Sequence, residues 1–143
     1  MKIVTDAAAN LTPQRVAELG VEVVPFQITF NGKTYRDGVD ITPAELYQLY
    51  MDFPHEYPST SQPSVGDYKT VFEKYGSEEV LAVVLSSGLS GSYNSACQAA
   101  EMLPAHNVTV VDSLMVGPAL GWMVETAVRK AARAGQKSAL SKP

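Results

Sequence analysis

The chain has 143 residues, of which 45% are hydrophobic and 18% are charged, and this composition excludes a disordered chain, a collagen-like repeat and a disulfide scaffold. The length favours one domain that buries roughly 70% of the surface of its unfolded chain. The formal net charge of −4 provides no basic field for nucleic acid or for an anionic membrane surface.

The first elements of the sequence are a short strand and a helix. The β-branched run Ile3-Val4-Thr5 predicts a buried strand that ends at Asp6. Thr12 and Pro13 are typical of the cap and first position of a helix, and Gly20 is typical of its end.

A hairpin is predicted next. Val21 to Phe30 is rich in β-branched and aromatic residues, although Pro25 restricts this strand to an edge or a bulge. Asn31-Gly32 is a two-residue turn signal, so Lys33 to Arg36 is expected to pair back on the preceding strand.

Two helices and a loop follow the hairpin. Thr42-Pro43-Ala44-Glu45 predicts a capping box that begins a helix ending at about Met51. Phe53 to Pro63 holds three prolines and is predicted to be a long loop. Ser64 then caps a third helix, which ends at about Tyr75.

The last third alternates between strands and helices. Val80 to Leu85 is a continuous apolar run, as expected of a strand covered on both faces. A helix over Tyr93 to Leu103, a buried strand over Val108 to Val111 and a helix from Pro118 to about Ala134 follow. Residues 135–143 are predicted to be a polar, flexible tail.

This alternation predicts the fold class. Apolar strands that alternate with helices favour a three-layer α/β/α domain with a mostly parallel sheet, here over residues 1–134, plus the hairpin around Asn31-Gly32.

Small polar clusters follow three of the predicted strands. They are Thr5-Asp6, Ser86 to Ser92 and Asp112-Ser113. Ligands of parallel sheets bind outside the carboxyl ends of the strands, and helix N-termini there suit a phosphate or a carboxylate. The alternative is that these serines and glycines are only good loop and cap residues. Within these clusters, the secondary candidates for ligand binding are Asp6, Ser87, Gly88, Asp112 and Ser113.

A second hydroxyl-rich segment, Ser59 to Ser64, directly precedes a predicted helix. By itself it favours helix capping by Ser64 with solvated neighbours.

Catalytic and metal chemistry find less support. No Walker motif is present, and one cysteine with two distant histidines cannot supply a zinc site. Gly88-Leu89-Ser90-Gly91 approximates a nucleophile elbow, but Ser92 replaces its second glycine. A serine hydrolase or acyltransferase that uses Ser90 would need His55 as its base and is kept as the alternative function.

Six motifs in order resemble the DegV family, whose members include the fatty-acid-binding subunits of bacterial fatty acid kinase. The motifs are Ile3-Val4-Thr5-Asp6, Gly20-Val21-Glu22-Val23-Val24-Pro25, Tyr35-Arg36-Asp37-Gly38-Val39-Asp40-Ile41, Thr60-Ser61-Gln62-Pro63-Ser64, Ser86-Ser87-Gly88-Leu89-Ser90-Gly91-Ser92-Tyr93 and Val111-Asp112-Ser113.

The resemblance implies a non-enzymatic, cytoplasmic protein that holds one long-chain fatty acid in an apolar tunnel. The carboxylate is expected at Thr60, Ser61, Ser90 and Gly91. A partner kinase would supply ATP and magnesium, so no cofactor, catalytic residue or metal site is expected in this chain. The lone Cys97 and the absence of a secretory or membrane-spanning apolar run agree with the cytoplasm.

Two features depart from the family pattern. Ala7 and Asn10 stand where the family usually has Ser and Asp, which weakens a role for the first loop. Family chains continue into a second lobe, so a chain that ends at Pro143 is expected to be the first lobe alone. Apolar surface exposed in this way favours self-association, and a truncated lobe that does not bind lipid is a third alternative.

Overall fold

A computed structural model describes residues 1–140 of the chain, with side chains described for residues 1–135. The elements along the chain are β1 (Lys2–Asp6), α1 (Pro13–Leu19), β2 (Glu22–Val24), β3 (Gln27–Phe30), β4 (Lys33–Arg36), α2 (Pro43–Asp52), β5 (Ser59–Ser61), α3 (Val65–Glu73), β6 (Val80–Val84), α4 (Ser92–Glu101), β7 (Val108–Asp112) and α5 (Pro118–Leu140).

The main sheet has four parallel strands in the order β2-β1-β6-β7. From β1 the chain passes outward to β2 and later returns to β6 on the other side of β1. The strand order therefore reverses between β1 and β6. Because all four strands are parallel, their carboxyl ends lie at one edge, and the reversal is the point at which such sheets bind ligands.

Helices cover both faces of this sheet. On one face α3 and α4 pack against β1 and β6 through Tyr68, Phe72, Ala96, Ala99, Val4 and Val84. On the other face α5 packs through Leu120 and Val124 against Ile3 and Val83, with α1 beside it. The three-layer α/β/α prediction is confirmed.

A small antiparallel sheet, in the order β4-β3-β5, stands beside the main one. Asn31 and Gly32 both have positive φ, 47° and 75°, as a two-residue hairpin turn requires, and the predicted hairpin is confirmed. The prediction of one strand over Val21 to Phe30 was wrong. Pro25 has no N–H to donate, so the run divides into β2 and β3, which belong to different sheets.

The segment Phe53 to Pro63 was predicted to be only a loop, yet it contains β5. Thr60 pairs with Ile28 and Ser61 with Gln27 of β3. The three residues of β5 are all polar and show no alternation of apolar and polar side chains. The segment is a strand because it pairs with β3, which lies far from it in the sequence.

Two predictions in the last third differ from the structure. β7 is the edge strand and is only half-buried, because no strand covers its outer side. α5 continues through Gly135 to Leu140, since a helical glycine costs only about 1 kcal/mol. The rest of the predicted tail, residues 141–143, lies outside the described residues. No helix in the described chain is long and apolar enough to cross a membrane.

Candidate functional site

The three polar clusters meet at the carboxyl edge of the main sheet. The Leu85 amide donates to Asp6 Oδ2 over 3.0 Å, which joins the end of β6 to the end of β1. The Ser87 amide donates to Asp112 Oδ1 over 3.1 Å, which joins the same loop to the end of β7. The Ser86–Ser92 loop is therefore held between both neighbouring strands.

Asp6 is fully buried at the point where the strand order reverses. Its carboxylate accepts hydrogen bonds from the Ser92 hydroxyl at 2.7 Å and from the Ala8 amide at 3.1 Å. Burial raises the pKa of Asp6, against the hydrogen bonds from Leu85, Ser92, Ala8 and Tyr68, which lower it. Asp6 therefore holds the loop from its buried side, and its carboxylate does not reach the surface.

Asp112 and Ser113 form a second support for the loop. Hydrogen bonding from the Ser87 side chain, and then from the amides of Leu114 and Ser87, lowers the pKa of Asp112. Ser113 is buried, and its hydroxyl bonds the amide and carbonyl of Met115 in a tight turn. The side chains of both residues form hydrogen bonds to nearby backbone groups, and these bonds stabilise the backbone beside the loop.

The loop itself is a compact turn built on Ser86. The amides of Leu89 and Ser90 donate to the Ser86 carbonyl over 3.0 and 3.2 Å, and the Gly88 amide donates to its hydroxyl over 3.3 Å. Ser90 Oγ accepts a hydrogen bond from the Ser92 amide at 3.2 Å and remains partly exposed. Ser90 therefore presents its hydroxyl at the surface of a well-defined turn.

The N-cap residue of α4 is a glycine, which has no side chain to cap the helix. Thr12, Thr42 and Ser64 cap α1, α2 and α3, whereas Gly91 caps α4 without any side-chain hydrogen bond. The first amides of a helix have no intrahelical acceptor. In α4 the Ser92 amide donates to Ser90 Oγ, which leaves the next two amides, those of Tyr93 and Asn94, free for an anionic ligand. Such amides suit a carboxylate because the N-terminal end of the helix dipole is positive.

Thr60 and Ser61 lie exposed on β5, beside this helix end. The link is Gln62, because a Cβ atom placed on Gly91 would lie 2.8 Å from Gln62 Nε2. Ser64, by contrast, forms the predicted capping box with Asp67. The structure thus brings the segment that contains Thr60 and Ser61 against Gly91.

Sequence reasoning did not single out Gln62. The only available signal was its position directly after Ser61 in a family motif. Periodicity cannot show that a polar side chain on an exposed strand end packs against a glycine about 30 residues further along the chain.

Replacing Gly91 with alanine is expected to preserve the fold and to displace Gln62. The new methyl group would meet the flexible end of a side chain, which can move, and the φ of Gly91 is −75°. We expect less than about 1 kcal/mol of lost stability, the usual difference between glycine and alanine at a helix cap. Urea denaturation checks this value, and a shifted Gln62 side-chain amide resonance reports the displacement. An unmoved Gln62 resonance would contradict the contact.

No catalytic arrangement surrounds Ser90 in the part of the chain that the structure describes. Its hydrogen-bond partner is the Ser92 amide, and no histidine bonds its hydroxyl. His55 lies exposed after α2. A nucleophilic serine needs an adjacent base, so this geometry favours binding over acyl transfer. Among the described residues, no group of three metal-ligating side chains lies close enough to hold an ion.

A groove of about 800 Å³ lies elsewhere, between α5 and strands β6 and β7. Its lining includes Leu81, Val111 and Met123, with Arg129 and Lys130 at its rim, and none of the carboxylate candidates. The groove is mostly apolar, and its side-chain donors include Trp122 and Thr126 beside these exposed cations. The groove is thus a second place to test for the carboxylate of a ligand.

A family model described as "Uncharacterised protein, DegV family" matches residues 1–139. The chain belongs to the DegV family. The resemblance inferred from the six motifs is thereby confirmed, and the α/β fold agrees with that of DegV proteins.

Among curated relatives, a DegV domain-containing protein of Staphylococcus aureus is 38% identical over 125 residues, which cover 86% of this chain and 44% of that protein. One from Listeria innocua is 40% identical over 114 residues, 78% of this chain and 40% of the relative. The chain thus spans less than half the length of these DegV proteins.

Several solved structures are similar over 92% of the chain, and two of them are described for binding fatty acids at 35% identity or more. A stearic acid-binding protein from Eubacterium ventriosum has a TM-score of 0.86 at 36% identity, with 47% of its own chain covered. A DegV family protein from Thermus thermophilus, described for its fatty acid binding, has a TM-score of 0.81 at 35% identity and the same 47% coverage.

Proposed function

We propose that this DegV chain binds the carboxylate of a long-chain fatty acid at the Ser86–Ser92 loop and presents it to a partner kinase for phosphorylation. The observation that carries the proposal is the pair of free amides, Tyr93 and Asn94, in the first turn of α4 at the point where the strand order reverses. The fatty-acid-binding activity described for the two similar structures supports the choice of ligand.

The proposed head-group site consists of neutral donors. The free amides of Tyr93 and Asn94 and the Ser90 hydroxyl would bind one side of the carboxylate, and Thr60 and Ser61 would bind the other. No lysine or arginine in the described chain bonds these residues. A carboxylate held by neutral donors is not paired with a cation, so it keeps an oxygen able to attack a phosphoryl group.

Exposed apolar side chains adjoin this site and would contact the start of the acyl chain. Leu89 lies within the loop, and Leu114, Met115 and Val116 follow β7 at the same edge; their exposed fractions are 66%, 72%, 44% and 51%. Large apolar side chains grouped at one edge mark a surface that becomes covered. In the proposal, the acyl chain and the remainder of a full-length DegV protein cover this surface together.

The kinase that would receive the head group supplies ATP and magnesium in this proposal. This chain needs no nucleotide loop for that role, and its sequence has no Walker motif. The role itself rests on the family resemblance, with the loop as the place where the partner would reach the carboxylate.

Replacing Ser90 with alanine is expected to weaken stearate binding. The substitution removes one hydroxyl donor and frees the Ser92 amide, a loss of roughly 1–3 kcal/mol, which corresponds to about a 5- to 150-fold increase in Kd. Titration of the purified chain with radiolabelled stearate measures this change. Native mass spectrometry should show the matching mass increment.

Two variants serve as controls. Ser77→Ala removes an exposed hydroxyl that lies before β6, at the opposite edge of the sheet, and should leave Kd unchanged. Lys130→Ala tests the groove beside α5. If Lys130→Ala weakens binding and Ser90→Ala does not, the carboxylate lies in the groove. Labelling of Ser90 by a fluorophosphonate would instead favour the hydrolase, and absence of any stearate binding would favour a non-binding lobe.

A further inference from the structure

One oxygen of Asp6 holds both ends of the head-group loop. Asp6 Oδ2 accepts the Leu85 amide at 3.0 Å, immediately before the Ser86–Ser92 loop, and the Ser92 hydroxyl at 2.7 Å, at its end. Tyr68 of α3 adds its phenol, 2.6 Å from Ser92 Oγ and 3.4 Å from Asp6 Oδ2. All three side chains, Asp6, Ser92 and Tyr68, are fully buried.

The proton positions follow from the donors. When Asp6 is ionised, its carboxylate only accepts hydrogen bonds, so Ser92 donates to it. The Ser92 oxygen is then free to accept the proton of Tyr68. The order of donation is Tyr68 to Ser92 to Asp6, which connects α3, α4 and β1 in one buried chain.

This chain reaches the proposed ligand-binding residues in one more step. Ser92 is the first residue of α4, and its amide donates to Ser90 Oγ over 3.2 Å. A shift of Ser92 therefore moves both the Ser90 hydroxyl and the free amides of the first turn of α4. Asp6 itself lies beneath this surface and does not face the ligand.

We propose that Asp6, with Ser92 and Tyr68, is a positioning residue that fixes the loop in the geometry needed to bind a carboxylate. The inference rests on the function proposed above. Positioned donors bind more tightly than mobile ones because less conformational entropy is lost on binding. The network would thus set affinity without contacting the fatty acid.

The chain provides a matched control for this network. The phenol of Tyr75 donates to a side chain of the main sheet as well, the carboxylate of Glu22, over 2.8 Å. Glu22 lies on β2, where it also pairs with Lys74, away from the loop. Tyr75→Phe thus removes one phenol hydrogen bond, as Tyr68→Phe does, without touching the loop.

The test combines hydrogen exchange with stearate binding in Tyr68→Phe, Ser92→Ala and Tyr75→Phe. In the ligand-free chain, the first two variants should accelerate amide exchange in residues 85–94, and Tyr75→Phe should not. The first two should also raise Kd for stearate roughly fivefold to tenfold, the equivalent of one net hydrogen bond. All comparisons are made where each variant is fully folded.

Each outcome decides a separate question. Unchanged exchange in residues 85–94 in both network variants overturns the positioning role. So does faster exchange with unchanged Kd, because the loop geometry would then not set affinity. If even the wild-type chain binds no stearate, the proposed function fails, and the exchange data alone decide whether the network holds the loop. An equal effect of Tyr75→Phe would also overturn the proposal.

Discussion

Replacing Asp6 with alanine is expected to lower the free energy of unfolding by about 2–4 kcal/mol, the sum of two losses. Without the carboxylate, the Ser92 hydroxyl can donate to Tyr68 instead, whereas the buried Leu85 amide loses its acceptor, and an unsatisfied buried donor costs about 1–3 kcal/mol. The Ala8 amide also loses its hydrogen bond to the Asp6 side chain, a capping interaction that is worth about 1 kcal/mol. Urea denaturation followed by circular dichroism measures the loss.

Asp6→Asn separates the charge of Asp6 from its hydrogen bonding. Burial raises the pKa of Asp6 above its ordinary value of 3.8, so at a given pH the protonated form is more populated in the folded chain than in the unfolded chain. The stabilising contribution of this group is therefore complete below its ordinary pKa and is lost as pH rises through the raised pKa. The stability of the wild type relative to Asp6→Asn should fall over that interval and then level off. A difference that rises with pH would contradict the raised pKa.

Replacing Gly121 with alanine is expected to destabilise the fold by about 1–3 kcal/mol, as overpacking of a rigid contact does. A Cβ atom at this position of α5 would lie 2.7 Å from the carbonyl oxygen of Ala9, in the turn that follows β1. Backbone on both sides cannot yield as a flexible side chain does. The Gly117 amide already binds the Ala8 carbonyl at 2.8 Å, which holds the two segments together.

Gly135→Ala in the same helix is the matched control. A Cβ at Gly135 meets nothing within 4 Å, so alanine should stabilise the chain by up to about 1 kcal/mol through helix propensity. Urea denaturation of both variants checks the opposite signs. A Gly121→Ala variant that is more stable than the wild type would contradict this prediction, because it would show that α5 can move away from the turn that follows β1.

Most helix boundaries could be predicted because their signals are local. Thr12, Thr42 and Ser64 each cap a helix through an amide three residues further along the chain. The turn at Asn31-Gly32 needs only the positive φ that these residues tolerate. The apolar run of β6 likewise indicates a strand covered on both faces.

The site could be predicted only in outline. The polar ends of β1, β6 and β7 indicated one edge of a parallel sheet, and hydrogen bonds from Leu85 and Ser87 join them there. The contact between Gln62 and Gly91 has no local signature, because it joins two separate loops. Nor does the sequence show that Asp6 is buried while Asp112 is partly exposed.

By itself, the sequence determined the α/β alternation, the helix caps, the hairpin and the DegV family motifs. These features depend on hydrogen bonds and periodicity within a few neighbouring residues. The tertiary structure decided that Pro25 separates two sheets, that β5 is a strand, that β7 lies at the edge and that one Asp6 oxygen holds both ends of a loop. Those features depend on which distant segments pair and exclude water, and this follows from packing the whole chain.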